Sequence, residues 1–138
     1  MSENNVTAPA TPEMRLEVVM LPVADVDRAR NFYVEKMGFN LDHDVVYGAM
    51  RIVQLTPPGS ACSVVIGKGM ASDSMTPGSI KGLHLVVKDA QQVRDLLAGR
   101  GIEISEVEDM GGVKYAHLSD PDGNSWEIQE IPSNLTAP

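Results

Sequence analysis

The chain has 138 residues, and 11 Lys and Arg against 19 Asp and Glu give a formal net charge of −8. That length suits one domain with a real core, and the acidic balance without a basic cluster argues against nucleic acid or an anionic membrane as the main partner. One cysteine, Cys62, excludes an intrachain disulfide framework and a cysteine-rich metal site. The longest apolar run, 18–23, is too short to span a bilayer. No secretory signal is visible, so a reducing, cytoplasmic setting is expected. With only six Phe, Trp and Tyr, the core is expected to be aliphatic.

Residues 1–13, polar with Pro9 and Pro12, read as a flexible tail. The β-branched run 16–23 predicts a strand. Asp25 is placed to N-cap the helix that follows. In that helix Ala29, Phe32, Tyr33 and Met37 share a face, and Gly38 ends it. Strands are predicted near 39–47, 50–56 and 61–67, the last two separated by the turn Thr56-Pro57-Pro58-Gly59-Ser60. Residues 68–79, small and polar, form a linker. The order then starts again: a strand at 83–87, an N-cap at Asp89, and a helix with Val93, Leu96 and Leu97 on one face. Strands follow near 102–107, 113–119 and 125–131, the last pair joined by Asp120-Pro121-Asp122-Gly123.

The two halves repeat at a spacing of 64: Asp25 matches Asp89, Pro57 matches Pro121 and Gly59 matches Gly123. The expected fold is therefore α+β, with two tandem βαβββ modules (14–67 and 80–131) in one domain, 14–131, forming a curved sheet around a central cavity, and a tail at 132–138. No Gly-rich loop follows a strand, which excludes a nucleotide-binding α/β fold.

The segment Val19-Val-Met-Leu-Pro-Val-Ala-Asp-Val-Asp-Arg-Ala29, then Phe32-Tyr33 and Met37-Gly38-Phe39, resembles the opening module of the vicinal oxygen chelate superfamily. Asp120-Pro-Asp-Gly-Asn-Ser-Trp-Glu-Ile128 is similar to its C-terminal hairpin. This superfamily includes glyoxalase I, extradiol dioxygenases, fosfomycin-resistance enzymes and bleomycin-binding resistance proteins. The resemblance implies a divalent-metal site whose ligand positions fall on Val18, Gly82 and Glu127. The 64-residue register adds Ser63 as the partner of Glu127. Val and Gly offer no side-chain donor and a serine hydroxyl is a poor ligand, so the standard site is expected to be dismantled and no cofactor is expected.

Strand alternation puts His84 on the face of Gly82, and His117 flanks the same turn as Glu127. A rebuilt metal site of His84, His117 and Glu127 is the alternative, since two imidazoles and a carboxylate form a recognised ligand set. Each residue also has a plainer reading. His84 fits a hydrogen-bonded core histidine, Glu127 a solvated sheet face, and His117 an edge histidine. Trp126 should point opposite Glu127 into the core, and Cys62, its repeat partner, is expected to be a buried, inert thiol. His43 with Asp42 and Asp44 is a third candidate for a rebuilt metal site, but that acidic cluster is expected to face solvent.

Two functions follow. In the first, Val18, Met20, Ser63, His84, His117 and Glu127 line a cavity that binds a small organic molecule without metal, as the bleomycin-binding branch does. In the second, the chain is a lyase or isomerase that uses the rebuilt metal or Glu127 and His84 as acid–base groups. The resemblance further implies a homodimer.

Overall fold

A computed structural model describes residues 8–132. The predicted tails, 1–13 and 132–138, therefore lie largely outside the described residues. The first module contains β1 (Val18–Met20), α1 (Val26–Asn31), β2 (Asn40–Tyr47), β3 (Met50–Thr56) and β4 (Ser63–Lys68). The second contains β5 (Leu83–Val86), α2 (Ala90–Gly99), β6 (Glu108–Met110), β7 (Val113–Ser119) and β8 (Ser125–Glu130). Each module forms a four-stranded sheet, ordered β1-β4-β3-β2 and β5-β8-β7-β6. In both sheets the first strand lies parallel to the last while the remaining neighbours are antiparallel. The fold is α+β with two tandem modules.

The helices begin where the capping residues require. Asp25 accepts a hydrogen bond from the Arg28 amide, and Asp89 accepts one from the Gln92 amide, each at 3.0 Å. After Asn31 the first helix widens into a π turn, Phe32–Lys36, in which the Met37 N–H reaches back to the Phe32 carbonyl. Ala29, Tyr33 and Met37 are buried, as their spacing predicts.

Three expectations are corrected. The opening strand is shorter than 16–23: Leu16 is exposed, and Pro22 has no N–H to extend the ladder beyond the Leu21 bond to the Val65 carbonyl. The stretch 102–107 is not a strand. Ile102 turns into the core, Ile104 makes an isolated bridge to Leu118, and the edge strand forms only at β6, closed onto β7 through the Gly111-Gly112 turn. Cys62 is half-buried rather than buried, with its amide bonded to the Ser60 hydroxyl.

The core lies on one face of each sheet and runs through both modules. Val53, Leu55, Val64 and Ile66 come from the first, and Ala116, Leu118, Trp126 and Ile128 from the second. It is less purely aliphatic than composition suggests, because Phe32, Tyr33, Phe39 and Trp126 gather at the seam between modules. The Trp126 ring lies 5.8 Å from Tyr33 and 5.7 Å from Phe39, edge-on to both.

Polar groups lock the same seam. Asp120 Oδ1 accepts from the amides of Asp122, Gly123 and Asn124, which shapes the Asp-Pro-Asp-Gly turn. Its Oδ2 accepts from the Tyr33 hydroxyl and from Asn124 Nδ2, which also reaches the Pro22 carbonyl. Asp122 Oδ1 accepts from the Ala24 amide and from Arg28. The motif is thus a turn and also a clamp that fastens the second module's hairpin to the first module's strand and helix.

Candidate functional site

With Trp126 and Ile128 committed to the core, period-two alternation turns Glu127 and Gln129 to the opposite face of β8. On β5, His84 and Val86 lie on that face, exposed, while Leu83 and Leu85 pack against the core. On β7, Tyr115 and His117 lie there, opposite Ala116 and Leu118. The register places His84 beside Glu127 and Glu127 beside His117, so the three residues form one cross-strand row. His117 Nδ1 is in contact with Glu127 Oε1. The Glu127 side chain is only 19% exposed against 49% for His117. His84 turns along its strand instead. Its Nδ1 lies 2.6 Å from Gln129 Oε1, and its ring meets Tyr115 edge-on.

The corresponding face of the first sheet is organised around Ser63. Val18 pairs with Ser63 and Met20 with Val65 across the parallel strands. Ser63 Oγ lies 2.6 Å from Thr56 Oγ1, which donates to Asp42 Oδ2. Gln54 Nε2 reaches Asp42 at 3.3 Å and Ser63 at 3.4 Å. The Thr56 hydroxyl, and after it Asn40 and Gln54, hold the Asp42 carboxyl below the usual carboxylate range. Asp42, His43 and Asp44 are exposed, as expected, and Asp42 is in addition part of the Ser63 network.

Strand pairing revises one position in the repeat. Val18 pairs with Ser63 as His84, not Gly82, pairs with Glu127. The first strands are related by 66 residues and the last by 64. The reason is local: Pro22–Ala24 separate Leu21 from the Asp25 cap, whereas Lys88 alone separates Val87 from Asp89. Gly82 lies outside the ladder with a positive φ. The four matched positions are consequently Val18, Ser63, His84 and Glu127.

The structure thus brings Val18, Met20 and Ser63 together on one sheet, and His84, His117 and Glu127 on the other. Among the described residues, no side-chain hydrogen bond joins the two groups. Nor do three or more His, Cys, Asp or Glu side chains converge to hold a metal ion among them. Val18 has no donor atom, the Ser63 hydroxyl is engaged with Thr56, and His84 is turned to Gln129. As arranged, these residues do not fit the family's divalent metal.

Sequence reasoning missed Gln54, Thr56 and the hydrogen bond of Gln129, and it named Asp42 without its link to Ser63. Alternation against the core residues Val53 and Leu55 marks Gln54 and Thr56, but nothing local marks the Asp42 link. Two cavities open elsewhere at the module seam. One of about 440 Å³ is lined mainly by apolar groups, including Phe39, Pro58, Leu85 and Leu96. A smaller one of about 110 Å³ reaches His84 past Cys62 and Trp126. Neither contains Ser63 or Glu127. No described helix is long and apolar enough to cross a membrane.

Comparison with solved structures returns the same architecture. TnmS3, an antibiotic binding protein from Streptomyces sp. CB03234, is 30% identical, with a TM-score of 0.80 over 88% of this chain and 99% of that one. A glyoxalase/bleomycin resistance protein from the same Streptomyces strain is 32% identical, with a TM-score of 0.72 over 83% of this chain and 98% of that one. A superfamily member from Sphaerobacter thermophilus DSM 20745 is 29% identical, with a TM-score of 0.74 over 86% and 98%. No curated protein matches the sequence. Residues 15–128 match the superfamily pattern as a whole. The repeated module, the clamped hairpin and this match together place the chain in the glyoxalase/bleomycin resistance protein/dioxygenase superfamily.

Proposed function

We propose that the chain binds a small organic molecule, of the kind antibiotic-binding relatives hold, without a metal. Val18, Met20, Ser63, His84, His117 and Glu127 supply the contacts. The observation that carries this reading is the similarity to an antibiotic-binding protein over nearly the full length of both chains. It is supported by the loss of donor atoms at Val18 and the diversion of Ser63 and His84 into other hydrogen bonds. The exposed faces suit a symmetric homodimer, because Val18 and Val86 are 50% and 63% exposed on them and a second copy would cover both. A reducing, cytoplasmic setting accords with the free Cys62.

The test is equilibrium binding of bleomycin and a panel of aromatic antibiotics, followed by calorimetry. The expected result is a saturable complex that Glu127→Ala and Ser63→Ala weaken about tenfold. Absence of binding across the panel would overturn the reading. Metal analysis of protein purified without chelator should return well under one divalent ion per chain, unchanged in Glu127→Ala.

The contact between His117 and Glu127 favours a second reading, a lyase or isomerase in which Glu127 takes a proton from a bound substrate. In that case Glu127→Gln abolishes turnover while leaving ligand affinity within a few-fold.

A further inference from the structure

The hydroxyls on the first sheet form a chain whose direction is set at one end. An ionised carboxylate only accepts hydrogen bonds, and Asp42 accepts one from the Thr56 hydroxyl. With its single proton committed there, Thr56 accepts at its 2.6 Å contact, so Ser63 donates. Gln54 Nε2 donates to both Asp42 and Ser63. Ser63 has then spent its only proton and retains acceptor capacity alone.

Asp42 reaches this face through a bulge. Leu41 pairs with Leu55 and the next pair is His43 with Gln54, which leaves Asp42 as the extra residue. Bulges re-aim side chains in this way and are enriched beside binding sites. Asn40 Nδ2 holds the re-aimed carboxylate from 2.8 Å.

The second sheet is mixed in polarity. Gln129 Oε1 accepts from His84 Nδ1, and the Glu127 carboxylate, which His117 Nδ1 contacts, is an acceptor. The Gln129 amide nitrogen and the Tyr115 hydroxyl on the same face are donors, so the fixed polarity lies on the first sheet.

We propose that the Ser63 face of the first sheet is set to accept hydrogen bonds, so that the chain selects ligands bearing hydroxyl or protonated amine groups over ligands bearing a carboxylate, with Asp42 and Thr56 as positioning residues that fix the polarity of Ser63. This rests on the small-molecule reading above. The net charge of −8 acts in the same direction.

The experiment titrates four compounds sharing one ring (benzylamine, benzyl alcohol, toluene and benzoate), read from the backbone amide shifts of Gln54, Thr56, Ser63 and Glu127. Benzylamine and benzyl alcohol should bind at least about tenfold more tightly than benzoate, with toluene between. Thr56→Val removes the link and returns the proton to Ser63, so the preference should shrink to about threefold or less. Thr56→Ser should restore it. Asp42→Ala, a change at an exposed side chain that removes the acceptor, should shrink it without threatening the fold. Benzoate binding as tightly as benzylamine, or a ranking unmoved by Thr56→Val and Asp42→Ala, would overturn the inference alone. If none of the four compounds, toluene included, binds, this inference falls; if the antibiotic panel fails as well, the small-molecule reading falls with it.

Discussion

The Tyr33 hydroxyl donates to Asp120 Oδ2 at 2.7 Å while accepting from Trp126 Nε1 at 2.9 Å, so one phenol joins the helix of the first module to the hairpin of the second. All three residues are buried. Removing the oxygen strands an indole N–H and deprives the carboxylate of a partner. Tyr33→Phe should therefore lower unfolding free energy by about 2–4 kcal/mol. Urea titration followed by Trp126 fluorescence measures this directly, and an unchanged m value would confirm that stability alone moved.

The same phenol predicts a response to alkali. Burial, and then the Asp120 charge, push its pKa far above the ordinary 10.0. Because the folded value is raised, the contribution is complete below pH 10 and is lost as pH climbs beyond that, where the unfolded tyrosine ionises and the folded one does not. Wild-type stability should fall more steeply above about pH 10 than that of Tyr33→Phe. Parallel slopes would show that folding does not raise the pKa of this phenol.

Acid acts on the first sheet. Thr56 holds the Asp42 carboxyl low, and Arg51, bonded through two nitrogens, does the same for Asp44. Depressed carboxyls contribute stability above their unfolded value of 3.8 that is lost as pH falls below it. Both groups are near the surface, so the effect is modest and weakens in salt. Thermal midpoints between pH 5 and pH 2 should drop less in Thr56→Val and in Arg51→Met than in wild type. Equal drops would remove these carboxyls as acid sensors.

Two glycines separate crowding from backbone strain. At Gly67 a Cβ would stand 1.9 Å from the Arg51 carbonyl oxygen of the neighbouring strand, with no positive φ to complicate the result. Gly67→Ala must part β3 from β4 and should cost more than about 2 kcal/mol. Gly48 has open space around it but a φ of +58°, so Gly48→Ala should cost only about 1 kcal/mol. Chemical denaturation of the two variants ranks them, and a reversed order would contradict the close strand approach.

Much of this molecule is written locally. Asp25 and Asp89 cap helices because a short carboxylate reaches the third amide wherever it precedes an apolar-periodic run. Trp126 and Glu127 take opposite faces because a strand alternates, and that alone also pairs His84 and His117 with the correct side. The cross-strand row His84–Glu127–His117 needed only the hairpin register on one side, but the parallel register on the other depends on how many residues separate strand from cap. That count differs between the modules, which is why Gly82 and His84 exchange places.

Sequence by itself determined the doubled module, its caps and turns and the faces of its strands, because each follows from spacing and side-chain chemistry within a few residues. Only the tertiary structure decided that Asp120 clamps Tyr33 across 87 positions of chain and that a bulge delivers Asp42 to Thr56 and Ser63. Those outcomes are set by long-range packing and by one inserted residue in a ladder, and neither leaves a periodic trace in the chain.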